Sequence, residues 1–347
     1  MEAFVKLPLH GVRVVEFEGV GPGPLAGRML AGMGADVTLI ARPVDPAMGH
    51  RIAPMAGSPL REGKQVLVLD LKKAEDLAAA WKAIADADVL LEASRPGVME
   101  RLGLGPIECL SRNPKLVYGR MTGWGQRGPL AHAAGHDLNY VALTGLLSLS
   151  GPRGQPPRMT PTLGESAGAL GLAFGIACAL VDVRGGGPGR VVDGAVVDVL
   201  SMLGTLIHWV RAFGNIDTDR PSPLHDSPYY DVYACADGRF ASVAAVEPKF
   251  YAVLLEKLGL IDVDPLQQND RATWPATKAR IAARFLERPL AEWMACMEGS
   301  DACFAPVLTI GEALEHPHNV ARRLFETTSL GGLMPRVAPS FSNGRAA

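Results

Sequence analysis

Val12-Arg13-Val14-Val15-Glu16-Phe17 opens the part of this 347-residue chain that decides its fold. The run is β-branched and apolar and ends in a glycine turn, the pattern of a buried parallel strand. Gly19, Gly21 and Gly23 follow, with Pro22 and Pro24 between them, and the spacing predicts a helix over 24–32. Residues 36–41 then predict a second strand, ended by Arg42-Pro43. Such a strand–turn–helix–strand unit invites a dinucleotide reading, but its glycine fingerprint fails. Position 24 is proline where a third glycine should stand, and Arg42 lies near the place of an acidic ribose ligand. An arginine at a strand's carboxyl end suits a phosphate better than a ribose diol.

The alternation continues. Strands are predicted over 66–70, 88–93 and 116–121, with helices over 72–85, from Arg95-Pro96-Gly97 through a last turn with Arg101 to an end at Gly103-Leu104-Gly105, and over 106–112. Alternating strands and helices of this length make a doubly wound, Rossmann-like α/β domain. Arg42, Arg61, Lys64, Arg95 and Arg101 recur at strand ends or helix starts. Singly, each reads as a solvated surface charge. As a group at the carboxyl ends of parallel strands, they suit a ligand with several phosphates.

Proline- and glycine-containing loops are expected over 44–60 and over 151–161, the second with Arg153 and Arg158. Between the 116–121 strand and the second loop, His136 starts a helical segment running to about 147. Glu165 stands at the start of an apolar helix over 166–181. A histidine and a carboxylate in apolar, glycine-rich surroundings can form an acid/base pair. Equally, Glu165 can be a capping carboxylate and His136 a satisfied core residue. A short strand over 190–193 and a long apolar helix over 194–213 complete a large domain, residues 1–214. A polar linker is expected over 215–227 and a smaller α+β domain over 228–316, with a hairpin, three helices, a turn and short strand over 300–307 and a short helix over 311–316. An irregular arm, 317–347, returns to the large domain.

Composition narrows the function classes. A net charge of −2 gives no field suited to nucleic acid or an anionic membrane, and 6% aromatic residues argue against base-stacking platforms. Five scattered cysteines with no Cys-x-x-Cys pair read as reduced thiols, and no metal-ligand motif is visible. The charge-free stretch 168–181 is shorter than the roughly 20 residues a bilayer needs and is expected to be a buried helix. With no signal peptide and no peroxisomal tripeptide read in the sequence, a cytoplasmic location without a membrane span is expected.

Several stretches together resemble the family III CoA-transferases, and among them the α-methylacyl-CoA racemases. They include Gly11-Val12-Arg13-Val14-Val15-Glu16, Gly34-Ala35-Asp36-Val37, Arg95-Pro96-Gly97-Val98 and Met121-Thr122-Gly123-Trp124-Gly125-Gln126. Gly135-His136-Asp137-Leu138-Asn139-Tyr140, Pro228-Tyr229-Tyr230-Asp231, Glu247-Pro248-Lys249-Phe250-Tyr251 and Ser300-Asp301-Ala302-Cys303 complete the set. The resemblance runs from residue 9 to about 342. It implies a larger α/β domain and a smaller α+β domain in an interlocked homodimer. CoA, as part of the substrate and with no further cofactor, would lie on the large domain, its phosphates near Arg42, Arg61, Lys64, Arg95 and Arg101.

The resemblance also implies a reaction. His136 and Glu165 become two bases on opposite faces of a thioester's α-carbon, exchanging its proton through an enolate. Asp137, Tyr230 and Glu247 match positions that orient His136 or line the pocket, the last two from the partner chain, and Cys303 matches a pocket cysteine. The second base in the family is normally aspartate; here it is Glu165, with Pro161 or Thr162 where an asparagine is usual and Ser166 where an aromatic is usual. Two other readings stay open: a CoA transferase with Glu165 as carboxylate nucleophile, and a non-catalytic CoA-binding dimer.

Overall fold

The structure, a computed structural model, describes residues 6–43, 58–151, 155–329 and 331–342. Most of the 44–60 loop, and Arg153, lie outside them. Six strands form one parallel sheet: β1 (Arg13–Phe17), β2 (Asp36–Ala41), β3 (Lys64–Val68), β4 (Val89–Glu92), β5 (Val117–Thr122) and β6 (Arg190–Ala195). Their order is β3-β2-β1-β4-β5-β6. Strand order reverses between β1 and β4, so the loops at their carboxyl ends frame the crevice where open α/β sheets bind ligands.

Period-two alternation divides the core. Val14 faces Ala26 and Leu30 of α1 (Pro22–Gly32) and Ala169, Leu172 and Ile176 of α6 (Leu163–Arg184) in one cluster. Val15 and Phe17 face the opposite side, where Ala80 and Ile84 of α2 (Ala74–Ala85) and Met99 and Cys109 meet them. Met99 lies in α3 (Val98–Arg101), Cys109 in α4 (Pro106–Arg112). The edge strand β3 leaves Val66, Leu67 and Val68 46%, 38% and 58% exposed. It starts at Lys64, two residues before the expected strand, so Lys64 belongs to the sheet and not to the loop ahead of it.

Three further elements differ from the sequence reading. The helical stretch after His136 is α5 (Asp137–Leu143), followed by a 3-10 turn at Leu146–Leu149. Helix α6 has 22 residues, long and apolar enough by length and composition to cross a membrane. Gly168, Ala169, Leu172 and Ile176 nevertheless pack into the core, while Leu170, Phe174 and Val181 are 54%, 66% and 73% exposed, so the helix is buried on one face only. The expected 194–213 helix is divided: β6 takes residues 194 and 195, and α7 (Val196–Leu203) and α8 (Thr205–Ala212) are separate.

Packing divides the chain at that point into Met1–Gly204 with Arg323–Ala347, and Thr205–Arg322. Within the first unit the tail is not irregular: Phe325–Thr327 and Leu333–Pro335 pair as a hairpin. The Arg28 guanidinium donates to Glu326 and to the Pro335 carbonyl, both at 3.0 Å, and holds that hairpin against α1. The second unit holds an antiparallel sheet of three strands and its own aromatic core around Tyr229, Tyr251, Trp274, Phe285 and Trp293.

Candidate active site

The switch-point crevice is built from two loops that approach closely. The glycine turn after β1 meets the loop after β4, where a Cβ on Gly23 would stand 2.6 Å from that of Ala93. Onto this place the chain brings the starts of two helices. His136, exposed, directly precedes α5, and its amide donates to Asn139 Oδ1 at 3.1 Å. Glu165 is half-buried and is the third residue of α6.

Asp137 joins the two. Its carboxylate accepts from the Thr162 amide at 2.8 Å and from the Glu165 amide at 2.7 Å. These are orphan amides at the amino end of α6, and a carboxylate there both satisfies them and complements the helix dipole. This cap explains why α6 begins at Leu163, three residues earlier than its apolar run. Through it the Asp137 carboxylate hydrogen-bonds at the start of the helix that bears Glu165. Asp137→Ala is expected to cost about 0.5–2 kcal/mol of stability, read as a lower urea midpoint, and Asp137→Asn less. An unchanged midpoint would remove the cap from the account.

Burial pushes the Glu165 carboxyl above the usual glutamate range, and the Asp137 charge adds to the rise; His136 and the Asp137 amide oppose it. A carboxylate so raised is a stronger base, and its acid form is a usable donor nearer neutral pH. Tyr140, on α5, packs edge-on against Trp124 at 4.8 Å and donates to the Gly135 carbonyl, holding the segment that carries His136. Burial raises the Tyr140 phenol, the Glu165 charge raises it further, and Arg95 opposes this, so all three groups share one electrostatic neighbourhood.

The expected cation set separates. Arg42, Arg95 and Arg101 are exposed at the carboxyl ends of β2 and β4 and in α3. Arg61 is partly committed: its guanidinium bonds Glu18 Oε1 at 2.5 Å, while Glu18 Oε2 takes the Arg42 amide at 3.1 Å. Lys64 is a correction. Its side chain is fully buried, donating to Glu16 Oε2 at 2.6 Å and to the Pro24 carbonyl at 2.9 Å, so it is not presented to a phosphate. The partner follows from the strand itself: a carboxylate facing inward from buried β1 needs a cation. Burial outweighs their attraction, raising the Glu16 carboxyl to about 7 and lowering the Lys64 ammonium.

Sequence reasoning also missed the Glu92–Arg120–Glu100 group. Arg120 Nε donates to Glu92 at 2.9 Å and its Nη1 to Glu100 at 2.8 Å, while Glu92 accepts the Ser94 amide at 2.7 Å, one residue before Arg95. Buried Glu92 and Arg120, charges inside apolar strands, were the signal.

Tyr230, Glu247 and Cys303 belong to the second unit. Tyr230 begins β7 (Tyr230–Ala234), Glu247 is exposed ahead of α9 (Pro248–Lys257), and Cys303 adopts φ 51°. Burial raises the Cys303 thiol, and Glu247 and Asp301 raise it further, which disfavours a reactive thiolate. An open cleft of about 490 Å³ in this unit, lined by Asn215, Arg271 and Trp274 among others, contains none of the expected site residues.

The chain is similar in sequence and fold to known proteins. The sequence pattern of CoA-transferase family III matches residues 9–347. The chain is 40% identical over 338 residues to the alpha-methylacyl-CoA racemase of Mus musculus, covering 96% of this chain and 86% of that protein. It is 31% identical to the acetyl-CoA:oxalate CoA-transferase of Acetobacter aceti, covering 95% of this chain and 88% of that protein. A crystal structure of Rv3272 from Mycobacterium tuberculosis superposes with a TM-score of 0.79 at 26% identity, covering 98% of this chain and 94% of that one. From a full-length match of sequence and a shared fold, the chain belongs to CoA-transferase family III.

Proposed function

We propose that this protein is a racemase (epimerase) of 2-methylacyl-CoA thioesters, with His136 and Glu165 as its two bases. The observation that carries the reading is the Asp137 bridge, which ties the helix start bearing Glu165 to the residue next to His136. The full-length likeness to a mouse racemase supports it. One base takes the α-proton, the C–H electron pair moves into the Cα–C bond, and the thioester oxygen carries the enolate charge. The conjugate acid of the other base then returns a proton to the opposite face. The raised Glu165 carboxyl suits both directions of this transfer.

Arg42, Arg95 and Arg101 are assigned to the diphosphate and 3′-phosphate of CoA, with Arg61 shared between a phosphate and Glu18. Tyr230 and Glu247 are assigned to the partner protomer's contribution in a homodimer. The exposed apolar residues on α6, and separately Leu206 and Trp209 on α8 with Phe213 just after it, at 71%, 62% and 66% exposure, support such an interface. A monomer by sedimentation would remove that part.

The test is incubation of each 2-methylacyl-CoA epimer in heavy water. Deuterium at the α-carbon and appearance of the other epimer are expected, and no α-deuteration from either would sink the reading. A CoA transferase is the second reading, favoured by the half-buried carboxylate and the likeness to the Acetobacter enzyme. Glu165 would then attack the thioester carbon, expelling CoA thiolate and leaving an acyl–glutamyl anhydride. Acyl-CoA-dependent inactivation by hydroxylamine would mark that intermediate.

A further inference from the structure

The chain leaves β1 through Gly21, at φ 71° and ψ −120°, a conformation that L side chains rarely adopt. Backbone conformation is only half of what glycine does there. A Cβ at position 21 would lie 2.8 Å from Glu165 Oε2, 3.5 Å from its Cδ and 3.9 Å from its Oε1. Those three closest atoms all belong to one carboxyl group. The bare Cα of the glycine turn is therefore one wall of the space the Glu165 carboxylate occupies, while the Asp137 carboxylate holds the Glu165 amide.

What a methyl group meets is the far end of a flexible side chain, not backbone or a packed core. The side chain can yield by rotating its carboxylate away, so the contact bears on where the base stands more than on whether the chain folds. We propose that Gly21 is a positioning residue: its missing side chain sets the reach of the Glu165 carboxylate toward the reacting carbon. This deepens the racemase reading and rests on it. It also gives the glycine turn, which fails as a dinucleotide fingerprint, a task in this chain.

The test is a cycle of four proteins: the native chain, Gly21→Ala, Glu165→Asp, and the two together. Aspartate is one methylene shorter and draws its carboxylate back from the position of the new methyl. Misplacement on the order of 1 Å costs roughly 100-fold. Gly21→Ala alone is expected to slow proton exchange from the epimer served by Glu165 by about that factor, with acyl-CoA affinity little changed. In the Glu165→Asp background the same alanine is expected to cost less than about threefold, a coupling that backbone strain alone does not produce. Equal losses in both backgrounds would overturn the proposal.

Foldedness gives a second reading of the same cycle. If Gly21→Ala fails to fold and the double variant folds, the proposal stands. If neither folds, backbone conformation alone demands glycine and the proposal falls. Should the native protein give no α-deuteration, the racemase reading fails separately. Gly21 is then judged by the carbon-13 titration of the Glu165 carboxyl, assigned with Glu165→Gln. Gly21→Ala is expected to move its midpoint by at least about half a pH unit, and an unmoved midpoint overturns the role.

Discussion

Glu165→Gln is expected to lower α-proton exchange by about 100- to 10,000-fold, the range over which a positioned acid or base contributes. The loss should fall mainly on one epimer, and His136→Ala should fall mainly on the other, because each base serves one face of the α-carbon. Racemisation, which needs both, should disappear in each variant. Acyl-CoA binding should persist, since neither side chain belongs to the proposed phosphate set. Burial raises the Glu165 carboxyl, so the acid limb of the rate profile is expected above the ordinary glutamate range, and Glu165→Gln should erase that limb. Suppression of the same epimer by both variants would defeat the two-base assignment.

Lys64→Met is expected to destabilise the protein by about 3–5 kcal/mol, the usual result of leaving one buried charge without its partner. The Glu16 carboxylate would keep its enclosure and lose the ammonium 2.6 Å away. Glu16 Oε1 has no hydrogen-bond partner among the described residues, and Arg61, whose charge also favours the ionised form, bonds Glu18 instead. Space offers no relief, because a Cβ on Gly27 of α1 would lie 1.8 Å from Glu16 Oε2. Glu16→Leu combined with Lys64→Met should recover most of the loss, as replacing both charges removes both desolvation penalties.

The sign of the pH effect follows from Glu16. Its folded pKa, about 7, lies above the reference 4.5, so the folded state holds the proton more tightly. Its contribution to stability is therefore full below 4.5 and is lost as pH rises through the window up to about 7. Lys64→Met should steepen that loss and carry it to higher pH, and the double replacement should abolish it. Urea midpoints at about pH 5 and about pH 8 decide the matter; a single Lys64→Met variant as stable as the native chain would show that the pair does not constrain the fold.

The same pair shows where sequence reading reached and where it stopped. Lys64 sits just after Arg61-Glu62-Gly63, and by spacing it joined a row of cations suited to phosphates. The deciding fact was two strands away, in Glu16, a carboxylate inside an otherwise apolar run. Sequence places the two 48 residues apart; only the sheet order β3-β2-β1 and the glycine at 27 put them under one helix. Glu165 is the parallel case. Its apolar helix was visible by composition, but the helix start moved to Leu163 because Asp137, 28 residues earlier in sequence, caps it.

The strand and helix alternation of the first unit was legible along the chain, because period-two and helical patterns are local and the turns are marked by glycine and proline. So were the residue types at His136 and Glu165 and, through its full length, the family. Which charges are free and which are spent on each other emerged from the folded arrangement. That arrangement alone showed that Asp137 serves the helix of Glu165 and that Gly21 forms a wall of the space around that carboxylate. The physical reason is common to all of these. Burial and hydrogen bonding depend on which distant segments meet, and that is settled by strand order and packing, not by spacing along the chain.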